Sequence, residues 1–232
     1  MIANECDVNV WVESLIRSPR EVARLWDVLS SAERDRSSQF VFLEHRRQFI
    51  VGRGLLRLIL GVELAEDPRD VSFTSGPYGK PELAEHVRRV SFNLAHSKDL
   101  VAYAVTKRPA VGIDIEYMRD IDTAAIARTF FSRSERAQLE RVPLELRRGV
   151  FYAGWVRKEA FMKALGTGLS LPSDRFDVSI SPGTPARIER HPPGVETDWQ
   201  VHDFAPGEGY CGAVATAGPP PRVQIHTHAW RV

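Results

Sequence analysis

The chain has 232 residues, 43% of them hydrophobic and 26% charged, a balance that gives a folded globular protein enough material for a core and excludes collagen, coiled coil and disorder. Lys and Arg number 31 against 30 Asp and Glu, for a net charge of +1, so bulk electrostatics supply no attraction to nucleic acid or an anionic membrane. Any recognition of phosphate has to be local. Two cysteines, Cys6 and Cys211, are too few for a disulfide framework and lack the spaced His/Cys partners of a zinc site, which fits a reducing cytoplasm.

Met1 to Asp7 carries two acids and no base, unlike a signal peptide. Val8 to Val12 alternates β-formers with polar positions and predicts an early strand, and Ser30-Ser31-Ala32-Glu33 has the spacing of a capping box. From Phe40 to Leu60 apolar residues recur at helical spacing with Arg46, Arg53 and Arg57 along one flank, an amphipathic helix with a basic edge. The apolar stretch Phe49 to Gly61 is broken by Arg53 and Arg57 and is too short to span a bilayer. Thr74 to Pro81, dense in Gly and Pro, reads as turn or loop; Val90 to Leu94 and Leu100 to Thr106 read as a strand pair.

Arg108-Pro109 breaks the chain before Val111-Gly112-Ile113-Asp114-Ile115-Glu116, whose alternation places three β-branched residues on one face and Gly112, Asp114 and Glu116 on the other. Asp122 and the box Ser132 to Glu135 start two helices, the second stopped by Pro143. A third helix, from about Arg148 to Leu165, ends at Gly166. Phe176 to Ile180, Ala186 to Glu189, Trp199 to Phe204, Tyr210 to Ala215 and Gln224 to Trp230 complete a strand-and-turn remainder. No short repeat is present, but both halves place helix first and strand pair later.

Asp114 and Glu116 at i and i+2 point the same way, and two close carboxylates repel unless a cation or proton sits between them. An oxygen-only ligand set selects a hard ion, Mg²⁺ above all; the plain alternative is a solvated strand face. Trp155, Glu159 and Lys163 at i, i+4 and i+8 share one helical face, either as an ordinary surface Glu–Lys pair or as a carboxylate and an ammonium at a partly buried border. His96, the Gly79-Lys80-Pro81 turn and the arginine edge are each weak signals alone, open to structural or solvated roles.

In chain order the basic helix to Arg57, Gly79-Lys80-Pro81, Phe92-Asn93-Leu94-Ala95-His96-Ser97, Gly112-Ile113-Asp114-Ile115-Glu116, Phe130-Phe131-Ser132 and Trp155-Val156-Arg157-Lys158-Glu159-Ala160 through Lys163-Ala164 to Gly168-Leu169-Ser170-Leu171-Pro172 form a specific set. From about Ser30 to Phe176 the chain resembles the 4′-phosphopantetheinyl transferases of the long, single-chain, surfactin-synthetase-activating type. The resemblance implies an α+β fold, a pseudo-dimer of two similar α/β halves with the active site in the cleft between them, divided here into residues 1–109 and 110–232. It implies transfer of the phosphopantetheine arm of coenzyme A to a serine of an apo acyl or peptidyl carrier protein, releasing adenosine 3′,5′-bisphosphate. By similarity Asp114, Glu116 and Glu159 hold Mg²⁺, Glu159 is also the candidate base, and Lys163 assists the leaving phosphate. Arg36, Arg46, Arg47, Gly79, Lys80, Pro81, Ala95 and His96, with Asp114, Glu159 and Lys163, contact coenzyme A.

Three positions depart from the family pattern: Ala95 replaces a frequent Ser, Gln48 a common Arg, and Glu33 stands where a basic phosphate contact sometimes occurs. Carrier proteins are acidic helical bundles, and Phe130 and Phe131 are candidates for the patch that meets one. The implied protein is a cytoplasmic monomer with no nucleic-acid or membrane partner, and the carrier's pathway, fatty acid, polyketide or nonribosomal peptide, stays open. Two other readings compete: a Mg²⁺-dependent phosphohydrolase or nuclease using the same carboxylates, which leaves the Gly-Lys-Pro turn and His96 unexplained, and a nucleic-acid-binding module, whose basic edge is short.

Overall fold

The computed structural model describes residues 7–76, 81–84, 90–167, 170–195 and 198–230. The fold is mixed α+β. The chain runs through strand β1 (Val8–Ser14), helices α1 (Pro19–Asp27), α2 (Ser31–Ser38) and α3 (Leu43–Leu64), then strands β2 (Phe73–Ser75), β3 (Pro81–Leu83), β4 (Ser91–Ser97), β5 (Leu100–Thr106) and β6 (Val111–Tyr117). Helices α4 (Thr123–Phe130), α5 (Arg133–Arg141) and α6 (Leu144–Leu165) follow, and strands β7 (Asp177–Val178), β8 (Ile188–Arg190), β9 (Trp199–Phe204), β10 (Tyr210–Ala217) and β11 (Val223–Thr227) close the sequence. No described helix is long and apolar enough to cross a membrane.

Local chemistry sets the helix ends. Ser30 with Glu33 and Ser132 with Glu135 form the reciprocal capping boxes expected, and Asp122 accepts the Ala125 N–H. A further box, Ser18 with Glu21, starts α1, a helix beyond those expected from the sequence. Gly166, at φ 69°, ends α6 in the left-handed region where a Cβ would be strained. The Thr74–Pro81 stretch differs from expectation: Thr74, Ser75 and Pro81 pair as a short antiparallel ribbon, β2 with β3, while Gly79 and Lys80 lie outside the described residues.

One sheet has the order β11-β1-β5-β4 and a second the order β6-β10-β9. Trp11, Val101, Tyr103 and Val105 on one face of the first sheet pack under α1 and α3 with Leu25, Val51, Leu55 and Ile59. The other face, Val8, Val10, Val12, Ala102 and Ala104, meets Val111, Ile113, Ile115 and Val214 of the second sheet. Phe151, Phe161 and Phe176 anchor a third cluster that covers the far side of the second sheet with α6. The last strand, β11, pairs in parallel with β1, Val8 opposite Val223, so the end of the chain returns to the sheet built by its beginning.

The second face of β6 is therefore covered as well. α6 lies directly on it at Gly112, where a Cβ would stand 2.1 Å from the Ala160 carbonyl oxygen and 2.3 Å from the Ala164 nitrogen. Both obstacles are backbone, so neither can rotate away. Gly112→Ala is expected to force the helix off the strand and to lower stability by about 1–3 kcal/mol or more in chemical denaturation. An unchanged midpoint would show that α6 does not need that close approach.

Candidate active site

Asp114 leaves β6 on the Gly112 face, beneath the last turns of α6, and is only 6% exposed. Its Oδ1 accepts a hydrogen bond from Lys163 Nζ at 2.7 Å, and the same ammonium reaches the Ile113 carbonyl at 3.3 Å. Its Oδ2 is buried without a hydrogen-bond partner, a costly condition for a carboxylate oxygen. Burial pushes the Asp114 carboxyl up to about 7; Lys163 opposes that rise, and Glu159 and Glu116 add to it. Glu159 is also raised, by burial first, with Lys163 opposing and Glu116 reinforcing. Glu116 thus acts on both Asp114 and Glu159, and the Lys163 ammonium opposes it at each.

The donor chemistry fits a hard divalent cation. An orphaned buried carboxylate oxygen with two further carboxylates nearby calls for positive charge beyond what Lys163 brings. Among the described residues no three His, Cys, Asp or Glu side chains converge tightly enough to enclose a metal by themselves. Mg²⁺ is typically held by one or two carboxylates and completes its shell with water and substrate phosphates.

His96 occupies the far end of β4, exposed, with its imidazole pKa pushed down by burial of part of the ring and by the Lys163 charge, against the pull of Glu116. It thus shares the field of the acidic cluster. Ala95 faces the other way: it is 5% exposed and packs with Ile113 and Ile115 between the sheets, so the departure from Ser at this position falls in the apolar interior, on the face opposite His96. A cavity of about 450 Å³ runs along the other end of β4 and β6, lined by Pro81, Ser91, Phe92, Val111, Ala164 and Gly166 among others.

The arginine edge of α3 is corrected by the structure. Arg57 is 3% exposed and Arg53 half-buried; both bond to Glu33, at 2.6 and 2.5 Å, and Arg53 stacks 3.8 Å over the Phe73 ring. The charge of Glu33 is consumed in that cluster, which explains an acid where the family sometimes places a base. Arg36 and Arg47 remain exposed and Arg46 half-buried, with Arg36 over Phe49 and Arg46 over Trp26, each at 5.6 Å. Phe131 is 1% exposed, stacked on Phe151 and close to Lys158. It belongs to the core and offers no surface to a partner, whereas Phe130 is half-buried against Trp155.

Two further polar groups, Lys158 and Ser97, adjoin the site residues. Lys158 points away from the acids into the core, donating to Glu135 and to the Phe176 carbonyl, both at 2.7 Å. Ser97, at the end of β4, donates to Glu116 Oε2 at 2.7 Å. Ser91, Asn93 and Ser97 fall on one face of β4, but that local pattern does not disclose which group Ser97 meets.

Comparison with known proteins adds the class. A model of the 4′-phosphopantetheinyl transferase superfamily matches residues 110–215, and a model of the N-terminal part of 4′-phosphopantetheinyl transferases matches residues 17–108. The chain belongs to the 4′-phosphopantetheinyl transferase family and is an enzyme of that class. Relatives include the 4′-phosphopantetheinyl transferase HetI of a Nostoc species, 34% identical over 91% of this chain and 88% of that protein. The 4′-phosphopantetheinyl transferase Sfp of Bacillus subtilis is 31% identical over 87% of this chain and 88% of its own length. A crystal structure of the Thermotoga maritima holo-[acyl-carrier-protein] synthase, 24% identical, aligns with 48% of this chain and 64% of that one at a TM-score of 0.38.

Proposed function

We propose that this enzyme transfers the 4′-phosphopantetheine arm of coenzyme A to a serine hydroxyl of an apo acyl or peptidyl carrier protein, in a Mg²⁺-dependent reaction that releases adenosine 3′,5′-bisphosphate. The observation that carries the reading is the buried Asp114 carboxylate with one oxygen on Lys163 and the other unpartnered, in a chain of this family. The two halves, built alike as helices followed by paired strands, act as a pseudo-dimer whose cleft is the site.

Asp114, Glu116 and Glu159 would hold the ion, which when bound neutralises the pyrophosphate charge. Glu159, its pKa raised by burial, is suited to take the proton of the attacking serine, since a base works best when its pKa approaches the working pH. The serine oxygen bonds to the pantetheine-bearing phosphorus as the bond from that phosphorus to the bridging oxygen breaks. The electron pair leaves on the nucleotide phosphate, and Lys163 stabilises it there with its positive charge or a proton. Arg36, Arg46, Arg47, Lys80 and His96 supply cations and donors to the nucleotide's phosphates, and Gly79, Pro81 and Ala95 supply backbone. The cavity beside Pro81 offers space for the base.

Incubation with coenzyme A, Mg²⁺ and several apo carrier proteins is expected to add one phosphopantetheine group to a carrier, read by intact mass. No addition to any of them, at controlled pH and metal, would sink the reading. Breakdown of coenzyme A without a carrier would point to a hydrolase instead.

A further inference from the structure

The strands β4 and β6 belong to different sheets yet lie side by side, and side chains of β4 bridge them. Ser91, Asn93, Ala95 and Ser97 alternate onto one face. Ser91 Oγ donates to the Pro109 carbonyl at 3.1 Å, and Asn93 Oδ1 accepts the Ile113 N–H at 2.9 Å. Both of these rungs end on backbone. Ser97 differs: its Oγ accepts the Tyr117 N–H at 3.1 Å and donates to Glu116 Oε2 at 2.7 Å.

Ser97 is 8% exposed, so solvent competes little for either bond. Tyr117 N–H is itself a donor, which leaves the single hydroxyl proton of Ser97 only the carboxylate to serve. A bond from hydroxyl to carboxylate is among the stronger hydrogen bonds, and it restricts a side chain that otherwise turns about three torsions. Among the described residues Glu116 Oε1 accepts no hydrogen bond, so Ser97 pins one oxygen of a carboxylate whose charge is felt by both Asp114 and Glu159.

We propose that Ser97 is a positioning residue of the metal centre: from the first half of the chain its hydroxyl holds Glu116 in the orientation that presents Oε1 to a divalent cation. The inference rests on the transferase reading in that the cation belongs to that reaction. Groups that orient metal ligands in this way typically change metal affinity 10–100-fold when removed.

The test is calorimetric titration of the full-length protein with Mg²⁺, with and without coenzyme A, alongside thermal melting in chelator. Ser97→Ala is expected to weaken Mg²⁺ binding about tenfold, and Ser97→Thr, which keeps the hydroxyl, to restore it. Equal affinities for wild type and Ser97→Ala overturn the proposal and leave the transferase reading standing, as does a lowered melting temperature in chelator with affinity unmoved, the mark of a purely structural serine. A wild-type protein that binds no Mg²⁺ under either condition overturns both.

Discussion

Glu159→Gln is expected to lower kcat for carrier modification by about 10²- to 10⁴-fold while leaving the circular-dichroism spectrum and the denaturation midpoint where they are. Glu159 is partly exposed, four residues before Lys163, on the side of α6 that overlies β6. Its burial-raised pKa makes it a better proton acceptor near neutrality than a solvated carboxylate. Gln preserves shape and the ability to accept a hydrogen bond but removes both charge and basicity. A loss confined to KM for coenzyme A, with kcat intact, would make Glu159 a binding group only, and a near-wild-type rate would remove it from both roles.

What could be read in the sequence follows the range of the interaction. Capping boxes act over three residues and strand alternation over two, so Ser30, Ser132 and the faces of β6 were legible. The carboxylate pair and the Glu159–Lys163 face were equally local, although the ammonium's partner is Asp114 on another element. Periodicity placed Arg53 and Arg57 on one flank of α3 but says nothing of what covers a flank. Glu33 from α2 and Phe73 from β2 cover this one, and cations that looked solvated become a buried cluster. The return of β11 to β1 is longer in range still, and only the three-dimensional arrangement reveals it. Ser97 stayed hidden for the same reason: its partner lies across a seam between two sheets, and nothing in the chain's local pattern marks a strand face as a seam.

Lys158→Met is expected to destabilise the fold by about 3–5 kcal/mol, the range for breaking a buried ion pair by removing one partner. Lys158 and Glu135 are almost wholly shielded, with side chains 3% and 0% exposed and 2.7 Å between Nζ and Oε1. Burial lowers the Lys158 pKa and the Glu135 carboxylate opposes the fall, so each charge is tolerable only because the other is there. Glu135 has further duties: its Oε2 accepts the Ser132 N–H that starts α5, and its Oε1 accepts the Val178 N–H of β7. Met fills much of the lysine's volume, so a cavity contributes little and the measured loss reports the stranded carboxylate. Combining Lys158→Met with Glu135→Gln removes both charges, and urea denaturation of the double variant is expected to show less destabilisation than the sum of the single ones. Strict additivity would mean that the two groups do not act as a pair. In the proposed reaction the pair would matter because Lys158 immediately precedes Glu159: it ties α6 to α5 and to Phe176 on one side, as Arg157 ties it to Asp203 of β9. With that anchoring the next residue has little freedom to leave the acids of β6. A variant that folds at low temperature but has lost the anchor should therefore show a falling kcat before its helix content falls, and kcat and ellipticity declining together on warming would show that the pair supports the fold alone.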